Sequence, residues 1–295
     1  MLSKFRSDKR VIVSFLTPAL AVYLVFMLVP IGGAIYLSFH TWAGFPGAPF
    51  DFVGFRNFQR VFNYPLFWLS VKNILWWILL TLATQIPIGF LLALLFNNRF
   101  RGFRIAKSIV FLPQVISLTA IGLIWYFILQ PNGLLNNFLA GTFLSGLSRS
   151  WLVEEQTAMT SIILVNSWIG IGFHMTVYFA AISAIPETIL DACRIDGATG
   201  LRRIVTIIIP LTWDAMKIAI VIAITQSFRS FDLVFVMTNG GPNGLTTVPA
   251  MLLYRESFRF DRYGMGSTIG LFILGMSLFF TLLSLKLTKR EAVEY

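Results

Sequence analysis

Near the C-terminal third of the chain, one strongly apolar stretch contains a run of groups able to do chemistry: Thr225, Gln226, Ser227, Phe228, Arg229, Ser230, Phe231, Asp232 and Phe235. Hydroxyls, an amide, a guanidinium and a carboxylate can hydrogen-bond a polyhydroxylated ligand, and aromatic faces suit the apolar face of a pyranose ring. Read as one helix from about Leu211 to Met237, the stretch puts Arg229 and Asp232 at i and i+3, on one face. A charge inside a membrane costs at least ~2.5 kcal/mol and faces a cavity or a partner. Two readings stand. In one, Gln226, Arg229, Ser230 and Asp232, with Phe228 beside them, line a path for a solute. In the other, Arg229 and Asp232 pair internally and only fix helix packing. His174, Asn166 and Ser167 are weaker candidates, equally suited to joining helices.

Other chemistries lack their residues. There is no G-x-x-x-x-G-K-[ST] loop to cradle phosphates, so the chain is not expected to hydrolyse ATP itself, and no cofactor is expected in it. Neither an H-E-x-x-H pair nor a nucleophile elbow occurs. Two histidines, His40 and His174, and one cysteine, Cys193, cannot build a zinc site or a disulfide framework. A lone thiol beside an alanine reads as a small packing residue.

The elements that must position these groups follow from composition. The 295 residues are 57% hydrophobic and only 12% charged, about half the charge of a soluble domain. Water cannot face most of such a surface; lipid can. Val11–Phe50, Asn73–Asn98, Ser108–Ser148, Gln156–Pro186 and Tyr263–Leu285 contain no Asp, Glu, Lys or Arg. With the segment bearing Arg229 they predict an all-α membrane protein of six spans, near 12–39, 70–96, 108–129, 158–183, 211–237 and 264–286. The apolar run after Arg10 is too long for a signal peptide and reads as the first retained span. Alternating ten-residue segments of a β-barrel are absent.

Charge sets the orientation. The net charge of +10 is spread in short groups between apolar runs, which argues for membrane orientation and against nucleic acid. One side receives fourteen basic residues: Lys4, Arg6, Lys9, Arg10, Arg99, Arg101, Arg104, Lys107, Arg194, Arg202, Arg203, Lys286, Lys289 and Arg290. The other receives six: Arg56, Arg60, Arg149, Arg255, Arg259 and Arg262. The richer side is expected to be cytoplasmic, with both termini on it. Gly266-xxx-Gly270 in the last span is a close-packing pattern.

Between the fourth and fifth spans, residues 185–210 read IPETILDACRIDGATGLRRIVTIIIP. Pro186 and Glu187 suit a helix start, and Ile189, Ala192, Cys193 and Ile195 recur at helical spacing. Gly197 suits a helix end, and a second helical stretch covers Leu201–Ile209 before Pro210. An ordered helix–turn–helix is predicted, able to dock a partner; a helix merely resting on lipid is the alternative.

Here the chain resembles a family. Asp191-Ala192-Cys193, Gly197, Ile207, Ile209 and Pro210 match, at the same spacing, the E-A-A-x3-G-x9-I-x-L-P loop of permease subunits of ATP-binding-cassette importers. Asp191, Cys193 and Ile209 depart from the pattern while keeping charge sign or approximate size. Ile195-Asp196-Gly197-Ala198 is similar to the carbohydrate branch. The run Phe231–Pro242, ending in Asn239-Gly240-Gly241-Pro242, and the N-terminal Phe15-Leu16-Thr17-Pro18 resemble the first-type subunit of the maltose and glycerol-3-phosphate class.

That resemblance implies a type I importer permease (MetI-like) fold, one permease domain over 1–295, and passage of a sugar into the cytoplasm of a bacterial or archaeal cell across its inner membrane. It implies that Asp191, Ala192, Cys193 and Gly197 couple to an ATPase. The implied partners are a related second permease, two ATPase subunits that bind the ATP, and an extracytoplasmic sugar-binding protein, with lipid around the bundle. The alternative is an ion-coupled secondary carrier, in which inverted repeats and broken helices are expected. No internal repeat is evident, and a carrier leaves the ordered loop unexplained.

Overall fold

The computed structural model describes residues 9–97 and 100–289, so Lys4, Arg6, Arg99 and Arg290 of the orienting charges lie outside the described residues. Most of the described residues are helical. In order come α1 (Ile12–Ser38), the two-residue strands β1 (His40–Thr41) and β2 (Asp51–Phe52), α2 (Arg56–Phe62), α3 (Pro65–Asn97), α4 (Phe103–Val115), α5 (Leu118–Ile128) and α6 (Leu134–Ala140). Then follow α7 (Ala158–Ser183), α8 (Glu187–Ile195), α9 (Gly200–Leu211), α10 (Trp213–Ser227), α11 (Asp232–Met237), α12 (Pro249–Tyr254) and α13 (Tyr263–Leu287). Helices α1, α3, α7 and α13 are each long and apolar enough to cross a membrane. The pairs α4–α5 and α9–α10 bend by 97° and 72°, and six spans result if each bent pair counts as one.

Two predicted spans are therefore corrected. The third, expected as one helix over 108–129, breaks where Ile116 and Ser117 turn extended, with ψ of 144° and 132°. Pro113, in the last turn of α4, has already removed a backbone donor there. The fifth, expected over 211–237, starts earlier in α9, bends at Thr212 and ends at Ser227. Residues 228–231 form turns, and α11 starts afresh at Asp232. Arg229 and Asp232 thus do not share one helical face. A carboxylate in the first turn of α11 suits that position, because the helix N-terminus is electropositive.

Two prolines are absorbed by local widening. Pro30 and Pro210 each follow by two residues a π-helical turn, Leu24–Leu28 and Ile204–Ile208. Proline cannot donate to the i−4 carbonyl, and a widened turn relocates that missing bond.

The chain packs as two compact units. One holds the residues up to Tyr64 together with Leu252–Phe272. There β1 and β2 pair antiparallel, His40 with Phe52 and Thr41 with Asp51. The Asn57 amide closes the turn by donating to the carbonyls of Ser38 and His40, at 2.8 and 2.9 Å. In this unit a Cβ on Gly266 would strike Ser257 Oγ, and one on Gly270 would lie 3.3 Å from Leu253, so the small-residue pattern admits the 253–257 segment.

The other unit holds Pro65–Met251 and the residues from Ile273 on. Its axis is the parallel pair α3 and α7. Thr84 donates to Ser167 at 2.8 Å and Gln85 to the Asn166 carbonyl at 3.1 Å. Gly89 lets the helices touch, for a Cβ there would lie 2.8 Å from His174 Cβ. Toward one end, Phe90, Ala93, Tyr178, Ile182, Ile185 and Ile208 form an apolar core. Toward the other, the Asn73 amide donates to the carbonyls of Leu245 and Thr247, both at 2.8 Å. That bond pair pins the Asn239-Gly240-Gly241-Pro242 loop, which Thr246 and Thr247 also staple through Gly241 and Gly240.

Candidate functional site

A cavity of about 330 Å³ lies where the broken spans meet the α3–α7 pair. Helix α3 contributes Trp77, Thr81 and Gln85, and α7 contributes Asn166, Ile169 and Gly170. The α4–α5 break contributes Gln114, Ile116 and Leu118. From the end of α10 and the turn beyond come Gln226, Ser227, Arg229, Ser230 and Asp232. Breaks fit this position, since irregular backbone inside a membrane is tolerated only where protein or a wet cavity satisfies it.

The polar lining is poorly satisfied. Trp77 Nε1, Thr81 Oγ1 and Ser230 Oγ are buried and have no hydrogen-bond partner. An unpaired buried polar group costs about 1–3 kcal/mol, so three around one cavity favour a ligand rich in hydroxyls. Gln226, Arg229 and Asp232 are exposed at the rim. Among the described residues Arg229 and Asp232 form no ion pair, which removes the packing-pair reading.

Four of the five sequence candidates thus meet at one cavity. Phe228 does not: it is buried and packs on Phe280, ring centroids 6.1 Å apart. Asn166 joins the lining, whereas Ser167 pairs with Thr84 and His174 is buried behind the Gly89 crossing. Sequence reading missed Trp77, Thr81 and Gln85. Their signal was spacing, for residues four apart stack on one face of a helix, and two of the three are polar in an otherwise apolar span.

The 185–210 segment folds as α8, a turn and α9. Ala198 N–H donates to the Cys193 carbonyl at 2.8 Å and Gly197 N–H to the Arg194 carbonyl at 3.2 Å. With Gly197 at φ +67°, this is a Schellman helix end. Ile189 and Leu190 pack on the apolar core built around Tyr178. Cys193 is also buried, so its small size serves packing within this chain rather than an outer face. Asp191, Ala192 and Ile195 face outward, Ile195 at 87% exposure. Asp191 meets Arg194 at 2.7 Å in an exposed pair, a bond of small net value that a partner's basic group could replace.

Residues 85–292 match the family described as the binding-protein-dependent transport system inner membrane component. The chain belongs to this family. This permease is 32% identical over 278 residues to the probable ABC transporter permease protein YurN of Bacillus subtilis, covering 93% of this chain and 94% of that one. It is 30% identical over 271 residues to the trehalose/maltose transport system permease protein MalF of Thermococcus litoralis, covering 91% and 90%. The arabinooligosaccharides transport system permease protein AraP of Bacillus subtilis is 30% identical over 289 residues, covering 96% and 90%. In fold, the permease matches a chain of the bacterial alginate ABC transporter crystallised with its alginate pentasaccharide-bound periplasmic protein. The TM-score is 0.82 at 23% identity, over 98% of this chain and 97% of that one. The family is one of transport, not of catalysis. Broken helices were an expected mark of an ion-coupled carrier; this chain has two bent pairs, so helix continuity does not separate the readings and family membership decides instead.

Proposed function

We propose that the chain, 1–295, works as one permease domain of a sugar importer and that the cavity at the broken spans is its part of the sugar path. The single observation carrying this is the convergence of Trp77, Thr81 and Ser230, each with an unpartnered polar atom, on the cavity that Gln226, Arg229 and Asp232 rim. Such a lining gives hydroxyl partners and one aromatic wall without deep charge. The relatives named for trehalose/maltose and arabinooligosaccharides support a carbohydrate as cargo.

In this reading the side with more basic residues is cytoplasmic, so α8 and α9 project inward with both termini. An ATPase subunit seats against Asp191, Ala192 and Ile195, while Gly197 holds the turn and Cys193 anchors α8 to its own bundle. A related permease completes the path, two ATPase subunits drive it, and an extracytoplasmic binding protein delivers the sugar. The test is uptake by vesicles containing the reconstituted importer. Gln226→Ala and Arg229→Ala are each expected to lower uptake about tenfold, the equivalent of one or two lost hydrogen bonds. Normal uptake with normal assembly removes the site.

A further inference from the structure

We propose that a groove between α4 and the end of α7, away from the cavity above, holds an anionic phospholipid. The groove encloses about 730 Å³. Arg104, Lys107 and Ser108 line its beginning, and Phe111, Leu112 and Val115 line its continuation along α4. Thr176 and Phe179 of α7 form the opposite wall. From Arg104 to Val115 the helix rises about 16 Å, so cations and hydroxyls sit at one end and a purely apolar channel extends from them. That order, charged head then apolar tail, is the pattern of one amphiphile.

Charge complementarity identifies the head. Among the described residues neither Arg104 nor Lys107 has a carboxylate partner. Lys107 Nζ sits 3.7 Å from the centroid of the Phe179 ring, which holds the ammonium over the groove. Two unneutralised cations suit a phosphate diester, and they carry the recognition, because the Ser108 and Thr176 hydroxyls beside them donate to the carbonyls of Arg104 and Gly172, each at 3.0 Å. The neighbouring surface is lipid-like in what it presents: Ile105, Ile109, Leu112 and Val115 of α4 are 57–71% exposed. Basic grooves between spans near a membrane surface are where acidic headgroups bind. Phe179 also packs on the core under α8, so an occupant of the groove touches the support of the segment proposed to meet the ATPase. The groove itself needs only the membrane-spanning architecture, not the sugar reading.

Native mass spectrometry of the full chain in its assembled complex tests this, with phosphatidylglycerol, phosphatidylcholine and inorganic phosphate offered separately. Phosphatidylglycerol is expected to be retained, and Arg104→Gln with Lys107→Gln to weaken it about thirtyfold. Arg104→Lys with Lys107→Arg is expected to restore it, which separates charge from folding. Equal retention of phosphatidylcholine, or unchanged retention by the glutamine variant, overturns the proposal. Binding of inorganic phosphate with no lipid retained makes the groove a free-anion site and also overturns it. A groove covered by another subunit in the complex, with no lipid bound, does the same. None of these outcomes depends on uptake through the Gln226 cavity.

Discussion

Trp77, Thr81 and Gln85 stack on one face of α3 because they are four residues apart, and two of them keep a buried polar atom unsatisfied. Thr81→Val removes the unpaired oxygen at nearly constant volume. It is expected to raise the stability of the sugar-free complex by about 1 kcal/mol and to lower uptake about tenfold. Thermal denaturation and vesicle uptake, run on the same preparation, check both. A loss of stability instead would mean that the hydroxyl holds the fold. Arg229 and Asp232 teach a related lesson. Their spacing suggested one helical face, yet the chain leaves the helix between them, and they reach the same cavity by way of a turn and a fresh helix start.

Among the elements, helix placement was legible where apolar runs were bounded cleanly. Predicted 158–183 coincides with α7, and predicted 12–39 nearly coincides with α1. The breaks were not legible, because Ile116, Ser117 and Thr212 are ordinary residues in apolar surroundings; Pro113 and Pro210 marked the places without saying how far the chain would bend. Neither was Phe228's turn away from the cavity, since aromatic residues carry no direction in a sequence whose helix register changes at Ser227. The Gly-Gly-Pro loop is heavily bonded, with Gly240 buried, which its turn-forming residues alone do not announce. Its strength comes from Asn73, more than 150 residues earlier. Asn73→Ala leaves one buried and one half-buried carbonyl without this donor and is expected to cost about 2 kcal/mol in thermal denaturation. Gly197→Ala forces a side chain into φ +67° and is expected to cost about 1 kcal/mol; an unchanged melting profile would show that the turn relaxes.

At the scale of the whole molecule, orientation has a direct readout. The native thiol of Cys193 is buried, so Ile195→Cys, in membranes holding the chain without its ATPase, is expected to supply the accessible label site, reacting with an impermeant maleimide only in inside-out vesicles. Labelling from the outer side would reverse the proposed topology and the ATPase contact with it. The unit containing Leu252–Phe272 has its own pH signature. Burial raises the Glu256 carboxyl above its usual range, and Arg262, 3.5 Å away, only partly offsets this. Burial first, and then the Glu256 charge, raise the nearby Tyr64 hydroxyl, with Arg255 and Arg262 opposing. The folded carboxyl holds its proton to higher pH than the unfolded one. Folded chains therefore bind more protons between the two pKa values, and stability falls as pH rises through that window. Acidifying from about pH 8 to about pH 5 is expected to raise the melting temperature, and Glu256→Gln to flatten that dependence.

The extended peptides at Ile116 and Ser117 carry a consequence for the cell. Amide groups released from a helix at mid-depth require moisture or a mate's polar surface, and hydrocarbon offers neither. In the proposed assembly the second permease supplies that cover, so a copy inserted alone would hold a damp notch against acyl chains, a defect that quality-control proteases can recognise. Orphan copies are therefore expected to be short-lived, and a pulse-chase with and without the gene of the proposed second permease would time their disappearance.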